Sequence, residues 1–404
     1  MSDGGPSPLL WATGLWAALL AGIVTAWSPR YWAVSVAITS IAILTIIWTT
    51  VSLVNRSHEI RWPLQTGLVI LIGAWGFLQT AVHATVAPQL TLDSSLVWGI
   101  SACAFVLGAQ ILRNRAALRL FLTLFLWSST ILAVAAMLQF YSMPVQVFGI
   151  FPAERGVTGT FLSSNQFAAF MELAAPVALW YMLDRTPLIG GLCYTMILAA
   201  TITAASRAGA ILVGAELLVF LGIAITTRKR KTILAISAGL ALLVAAAATI
   251  AGTDAISARF ADKKPYAIRQ ELFDSTVKLI EQRPWLGYGM GTWRAVYPRA
   301  ATFDMALLAN EAHNDWAQWA AEGGLPFSIL MAALVVWAAK PAIRSVWGLG
   351  ILSVMAHSYF DYPIREPALS FVWFALAGAV SQVNGRSRPV RKIYSGTQTG
   401  TSAG

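Results

Sequence analysis

The chain has 404 residues, of which 57% are hydrophobic and only 11% are charged. This charge content is too low for the surface of a water-soluble protein, and apolar runs of about 18 residues or more recur along the chain. The formal net charge of +10 would indicate nucleic-acid binding in a soluble protein, so the distribution of the basic residues has to be considered first. Length and composition therefore exclude a soluble domain and indicate a polytopic membrane protein.

The apolar runs predict an all-α integral membrane protein with about 12 transmembrane helices and one large outer loop that contains amphipathic helices. Residues 1–140 hold the N-terminal transmembrane helices, and residues 141–383 form a second membrane region that includes the loop at 253–322. Residues 384–404 are expected to be a disordered cytoplasmic tail. The predicted spans lie near residues 9–27, 31–54, 64–86, 95–112, 118–140, 166–183, 187–205, 208–226, 232–252, 323–339, 343–360 and 367–383.

The basic residues follow the alternation of these spans. With both termini in the cytoplasm, most of them lie in inner loops, whereas the short outer loops hold only Arg30, Arg155, Arg207 and Arg365. This asymmetry obeys the positive-inside rule, so the net charge reflects membrane orientation. Nucleic acid is not an expected partner, whereas the lipid bilayer is.

Several polar residues interrupt the second membrane region. Arg155 precedes a glycine turn and the start of a helix, which is typical of an anion site but equally of a simple capped loop. Arg207 lies among small residues, where a guanidinium has either a recess or a snorkelling position at the interface. Glu172 and Glu216 fall inside spans, where a carboxylate should face the bundle interior or a water-filled cavity.

The large outer loop carries the densest polar sequence. Residues 267–283 have the spacing of an amphipathic helix that stops before Pro284, and a glycine-rich turn follows at 286–293. Residues 310–322 are read as one helix, with His313 on its apolar face beside small residues. A histidine there is either a core residue with satisfied hydrogen bonds or a buried general base.

Taken together, these motifs resemble the O-antigen ligase and polymerase family of bacterial membrane glycosyltransferases over roughly residues 150–370. The resemblance rests on Gly159-Thr160-Phe161 with Asn165, Ser206-Arg207, Arg269, Pro284-Trp285-Leu286-Gly287-Tyr288-Gly289, His313-Asn314-Asp315-Trp316, Glu322-Gly323-Gly324 and Asp361-Tyr362-Pro363. It implies a multi-pass protein of the bacterial inner membrane with cytoplasmic termini, whose outer loop is periplasmic.

The resemblance also implies an activity, namely metal-independent, inverting transfer of a glycan from undecaprenyl diphosphate to an acceptor hydroxyl. It makes His313 the catalytic base and Arg207 and Arg269 the cations that hold the donor diphosphate. Arginine suits that role because its guanidinium stays protonated and forms paired hydrogen bonds with phosphate oxygens. Additional substrate-binding residues are expected at Arg155, Asn165, Asn314 and Arg365. No metal or other cofactor is expected, since no Asp-x-Asp pair is present and fixed arginine charge would replace an ion.

Four functions remain open at this point. An O-antigen ligase, which uses lipid A-core as acceptor in lipopolysaccharide biosynthesis, is preferred over a polymerase that joins lipid-linked repeats of O-antigen or exopolysaccharide. A relative that glycosylates a protein hydroxyl is disfavoured, because such relatives tend to carry extra periplasmic sequence near the C-terminus. A transporter or lipid flippase is disfavoured as well, because the longest loop follows span nine and no matching halves are visible.

Overall fold

The structure is a computed structural model that describes residues 6–55, 62–140, 145–153, 157–225, 230–250, 264–302 and 309–382. The predicted tail at 384–404 lies outside these residues. The longer helices are α1 Pro8–Thr25, α2 Tyr31–Asn55, α3 Gln65–Ala81, α4 Pro88–Ile111, α5 Arg115–Phe140, α6 Ser164–Asp184, α7 Pro187–Thr203, α8 Arg207–Ala224, α9 Arg230–Ile250, α10 Lys264–Gln282, α12 Asp315–Ser345, α13 Leu349–His357 and α14 Pro367–Ser381. Short elements complete the described part of the chain: the antiparallel pair β1 Gln146–Val147 and β2 Phe151–Pro152, helix α11 Trp293–Val296, and 3₁₀ turns at Tyr297–Arg299 and Pro363–Arg365.

The all-α membrane architecture is confirmed, although the number of crossings is not. Among the described residues, seven helices are long and apolar enough to cross a membrane, and three shorter apolar helices accompany them, Gln65–Ala81, Pro187–Thr203 and Pro367–Ser381. The predicted span at 343–360 contains the last residues of α12, which ends at Ser345, and the separate helix Leu349–His357. Nine residues rise about 14 Å, roughly half of a hydrocarbon core, so this helix cannot cross alone.

Helices α6 and α14 form the centre of the bundle. Buried residues make up 83% of the apolar window of α6 but only 17% of that of α2, which lies at the periphery. Helix α14 packs closely on α4. Each helix contributes one glycine that faces the backbone of the other helix. A Cβ at Gly108 would lie 2.1 Å from the Ala375 carbonyl, and one at Gly378 would lie 2.1 Å from the Phe105 carbonyl. Small residues allow this approach, as is typical of membrane helices.

The predicted positions of the intramembrane carboxylates are confirmed. Glu172 is 0% exposed and Glu216 is 4% exposed, so both face the bundle interior. Glu172 Oε1 lies 2.6 Å from Nδ1 of His357, the last residue of α13. A carboxylate is expensive to bury in a bilayer unless it is paired, and this histidine provides the partner.

The glycine-rich turn at 286–293 attaches the outer loop to the bundle through hydrogen bonds and close backbone contacts. Gly289 has a φ of +108°, and a Cβ there would lie 2.2 Å from Oγ1 of Thr85. The Tyr288 amide donates to the Ala321 carbonyl and the Gly289 amide to the Glu322 carbonyl, at 3.0 and 2.9 Å. The glycines are needed because the chain turns in direct contact with α12 and with the loop before α4.

Candidate active site

Asp361 lies between α13 and the 3₁₀ turn, and it is the point on which several predicted site residues converge. Its side chain is only 4% exposed. Arg269 of α10 donates from Nη2 to Asp361 Oδ2 at 3.1 Å, and Asn165 of α6 donates from Nδ2 to the same oxygen. His313 places Nδ1 3.1 Å from Asp361 Oδ1, which also accepts the Tyr362 amide at 3.0 Å. Four segments that are distant in sequence therefore meet at one carboxylate.

These partners decide the charge of Asp361. Burial raises the pKa of the carboxyl, but the hydrogen bond and charge of His313 and the charge of Arg269 outweigh it and lower the pKa. The carboxylate is therefore ionised at neutral pH and can only accept hydrogen bonds. It follows that Nδ1 of His313 carries a proton, which leaves Nε2 as the nitrogen able to take another.

The backbone around His313 presents the imidazole from a turn. His313 has a φ of 52°, in the left-handed region that non-glycine residues seldom occupy. Its ring packs edge-on against Tyr362, with 4.8 Å between ring centroids. The side chain remains 34% exposed, as does that of Arg269. Asp361 therefore fixes one side of the His313 ring and one side of the Arg269 guanidinium. The other side of each group can face a substrate.

The start of α12 holds the turn and the Asp361 segment together. Asn314 caps the helix, since its Oδ1 accepts the Ala317 amide at 3.0 Å. The Asp315 amide donates to the carbonyls of Ser358 and Asp361 at 2.8 and 3.2 Å. Asp315 Oδ2 accepts the Ser358 hydroxyl and the Ile364 amide, each at 3.1 Å. These contacts fix the loop between α13 and α14 against the residues next to His313.

Arg365 occupies a separate, fully engaged position beside this site. Its Nε lies 2.8 Å from Glu311 Oε2 and its Nη1 lies 2.7 Å from Glu322 Oε2. Burial lowers the pKa of the guanidinium, but Glu311 and Glu322 outweigh it and raise the pKa. Glu322 also accepts the amides of Gly291 and Trp293 at 2.9 and 3.0 Å, so it links Arg365 to the glycine-rich turn.

Six of the seven residues predicted from the sequence fall into three groups, and the seventh, Arg207, is described below. His313, Arg269 and Asn165 meet at Asp361, whereas Asn314 and Arg365 make the helix cap and the ion pairs just described. Arg155 lies outside the described residues. No contact tests the catalytic or substrate-binding roles assigned to these residues, which stay predictions.

Arg207 begins α8 at the same end of the bundle. Ser206 caps this helix, with its Oγ accepting the Gly209 amide at 3.3 Å. A Cβ at Gly209 would lie 2.5 Å from the Ala168 Cβ, one turn of α6 beyond Asn165. The first turns of α6 and α8 are therefore in direct contact, which brings Arg207 to the end of the bundle that carries Asp361.

One local prediction is wrong. Residues 310–322 do not form a single helix, because α12 begins at Asp315 and His313 has a left-handed backbone. Side-chain hydrogen bonds hold the residues before the helix, since Gln318 Oε1 accepts the Ala312 amide at 2.8 Å and its Nε2 donates to Glu311 at 2.6 Å. His313 accordingly leaves the face assigned to it and turns toward Asp361.

Sequence reasoning missed Asp361 and Asp315 as site residues. Both belong to motifs that carried the family resemblance, His313-Asn314-Asp315-Trp316 and Asp361-Tyr362-Pro363. A carboxylate in a short loop between two apolar segments was the available signal, because such a group needs cationic or amide partners once it is buried.

A cavity of about 350 Å³ lies at the opposite end of the bundle, and one of about 300 Å³ lies beside Arg365. The second cavity is lined by Tyr31, Trp98, Arg294, Asn310 and Glu311, among others. Its volume is at the lower end of the range for small-ligand sites. Hydroxyl, amide, carboxylate and guanidinium groups beside aromatic rings form a lining that suits a polyhydroxylated ligand.

The fold and the site define a polytopic helical membrane protein with a histidine, an arginine and an asparagine gathered on a buried aspartate at one end. Residues 192–332 match a family model described as O-Antigen ligase. This match covers about a third of the chain, includes Arg207, Arg269 and His313, and supports the O-antigen ligase family that the resemblance predicted. No match was found among curated proteins.

Proposed function

We propose that the protein transfers a glycan from undecaprenyl diphosphate to the hydroxyl of lipid A-core, as an O-antigen ligase at the periplasmic face of the bacterial inner membrane. The observation that carries the proposal is the arrangement of His313 and Arg269 on opposite oxygens of Asp361. A base and a cation held by one carboxylate are the two groups that such a transfer needs.

His313 acts on the acceptor. With its Nδ1 proton held by Asp361, Nε2 takes the proton of the acceptor hydroxyl as the oxygen attacks the anomeric carbon. The carboxylate stabilises the imidazolium that results, since it lies next to the new positive charge. Direct attack by the acceptor forms one carbon–oxygen bond as another breaks, and therefore inverts the anomeric carbon.

Arg269 acts on the donor. As the bond between the anomeric carbon and the diphosphate oxygen breaks, negative charge develops on the leaving group. Arg269 uses one amino group on Asp361, and its remaining donors are available to the diphosphate. Arg207, at the same end of the bundle, supplies the second cation, and the reaction needs no metal ion in this scheme.

The cavity beside Arg365 is a suitable place for a sugar of one substrate. It adjoins Glu311, two residues from His313, and the 3₁₀ turn that follows Asp361. Arg365 then acts by holding Glu311 and Glu322 in place, while Asn310 and Tyr31 offer hydrogen bonds to sugar hydroxyls.

The decisive experiment is the glycolipid profile of a deletion strain complemented with wild type, His313→Ala or His83→Ala. His83 is a matched control, because it is exposed and has nearly the same left-handed backbone, with φ values of 56° and 52°. A ligase predicts that His313→Ala leaves bare lipid A-core while long polymer accumulates on undecaprenyl diphosphate, and that His83→Ala restores the wild-type profile.

The same experiment distinguishes the alternatives. If the deletion strain still transfers single repeats but loses long chains, the protein is a polymerase that joins lipid-linked repeats. If His313→Ala, inserted at wild-type levels, restores the full profile, the catalytic assignment is wrong and a transport function has to be considered again.

A further inference from the structure

The cavity at the end of the bundle opposite Asp361 has the charge and shape of an anion site. Four arginines line it, Arg113, Arg115, Arg119 and Arg344, together with a single acidic residue, Asp184. They come from the ends of four helices, or from residues next to those ends, so the cavity is formed by the packing of the bundle itself. Along α6, Asp184 lies 19 residues beyond Asn165, a rise of about 29 Å. The cavity is therefore separated from the candidate active site by about the thickness of a hydrocarbon core.

The single acidic residue of the lining is engaged by Arg119 and Arg185. Asp184 Oδ1 accepts from Arg119 Nη2 at 3.0 Å, and its Oδ2 lies 3.6 Å from Nε of Arg185. Among the described residues, Arg115 and Arg344 make no ion pair, and both are exposed. Two guanidiniums beside the cavity thus remain able to bind an external anion.

The start of α5 adds amide donors to the same place. Asn114 Oδ1 accepts the Ala116 and Ala117 amides at 2.9 and 3.1 Å, so Asn114 caps the helix. Arg115 is then the first residue of a helix whose N-terminal end carries partial positive charge. The dipole and the arginines favour the same kind of ligand.

Most of the remaining lining is apolar or aromatic. It comprises Leu112, Leu118, Leu122, Trp180, Trp347 and Ala379, with Ser345 and Gln382 as its polar members. Tryptophan and arginine together are typical of the boundary between headgroups and acyl chains, where the ring is half-buried and the cation contacts phosphate. This composition favours a ligand with a charged head and a hydrocarbon body over a small soluble ion.

We propose that this cavity binds a phosphate-bearing anion, namely the headgroup of an anionic phospholipid of the cytoplasmic leaflet. Basic pockets between transmembrane helices on the cytoplasmic side bind such headgroups. The arginines bind the phosphate, and the partly exposed Leu118 and Trp180 contact the acyl chains. The proposal concerns the end of the bundle that the charge distribution places in the cytoplasm, and it does not depend on the glycan transfer proposed above.

The test is a lipid titration of the purified full-length protein in detergent, read by native mass spectrometry. Cardiolipin is the probe, with phosphatidylcholine and inorganic phosphate as separate arms. Each arginine near the surface contributes to binding of an anionic lipid, so Arg344→Gln and Arg115→Gln should each weaken cardiolipin binding about fivefold. Lys340→Gln is the matched control, because Lys340 is exposed one turn earlier on α12 and does not line the cavity.

Comparison of cardiolipin, phosphatidylcholine and inorganic phosphate shows whether the bound anion is a lipid headgroup or a soluble ion. Cardiolipin binding that depends on Arg115 and Arg344, with no competition from inorganic phosphate, supports a lipid headgroup. Competition by phosphate with the same dependence supports the phosphate site and shows that it accepts a soluble anion. If Lys340→Gln weakens binding as much as Arg344→Gln, or if phosphatidylcholine binds equally well, the proposal is overturned.

Discussion

Replacing Asp361 with asparagine tests the proposed mechanism at its centre, because this change keeps the shape of the side chain and removes its charge. The new amide would present one oxygen and one NH₂ group to four donors, so at least one of Arg269, Asn165, His313 and the Tyr362 amide loses its acceptor. If the amide nitrogen faces His313, Nδ1 becomes the acceptor and the ring proton moves to Nε2. The base is then blocked at the nitrogen that must take the acceptor proton.

The magnitude follows from these lost contacts. A positioned general base contributes roughly 10²- to 10⁴-fold to a rate, which corresponds to about 3 to 5 kcal/mol in the activation free energy. Hydrogen bonds to a charged partner contribute about 1.5–3 kcal/mol each. Arg269 and His313 are both one-third exposed, so solvent reduces that contribution, and we expect the free energy of unfolding to fall by only about 2 kcal/mol. Activity should therefore fall far more than stability.

The assay is transfer of glycan from a lipid-linked donor to a lipid acceptor by purified protein in liposomes, with thermal unfolding measured in parallel. Asp274→Asn is the matched control, because Asp274 is exposed on the same helix as Arg269 and its replacement removes an equal charge. This control should retain wild-type activity. A folded Asp361→Asn protein whose transfer rate stays within about threefold of wild type would refute the role of Asp361 in orienting His313.

Three further outcomes are expected. Arg269→Lys keeps the charge but loses the guanidinium fork, so the KM for the donor should rise about tenfold, and an unchanged KM would remove Arg269 from the diphosphate site. Gly289→Ala places a Cβ 2.2 Å from Thr85 at a φ of +108° and should lower the free energy of unfolding by about 2–5 kcal/mol, whereas Gly67→Ala, with open space around it, should change it by less than about 1 kcal/mol. The pKa of Asp361 is lowered on folding, so its contribution to stability is present above the unfolded value, near about 3.9, and is lost as the pH falls through the folded value. Acid unfolding curves of wild type and Asp361→Asn should therefore converge at low pH, and curves that stay parallel would contradict this.

The helical framework was predictable because the bilayer restricts the backbone. Apolar runs long enough to cross a membrane satisfy their own backbone hydrogen bonds by forming helices, so the predicted spans other than 343–360 each coincide with a helix in the structure. The end of α10 before Pro284 was predictable for a local reason, the missing amide of proline. The short helix Leu349–His357 was not, since its hydropathy resembles that of a full span.

The site was only partly predictable, because its geometry depends on contacts between distant residues. Asn165 and Asp361 are separated by 196 positions, and no local pattern shows that they meet. Likewise, a wheel plot treats residues 310–322 as continuous and cannot show that Gln318 folds back onto residues 311 and 312. Arg365 illustrates the same limit, because two glutamates from another segment bind its guanidinium.

The intramembrane pair of Glu172 and His357 has a consequence for the site above it. The His357 carbonyl accepts the amides of Phe360 and Asp361 at 2.8 and 3.0 Å, so the end of α13 sets where the Asp361 backbone begins. Glu172 lies seven residues after Asn165, which places both on the same face of α6, two turns apart. Helix α6 therefore contacts the Asp361 segment at two points. Asn165 donates to the Asp361 carboxylate, and Glu172 pairs with His357. Because a buried pair is costly to break, it keeps this segment in one position, and the carboxylate stays aligned with His313 and Arg269 without relying on the exposed loop.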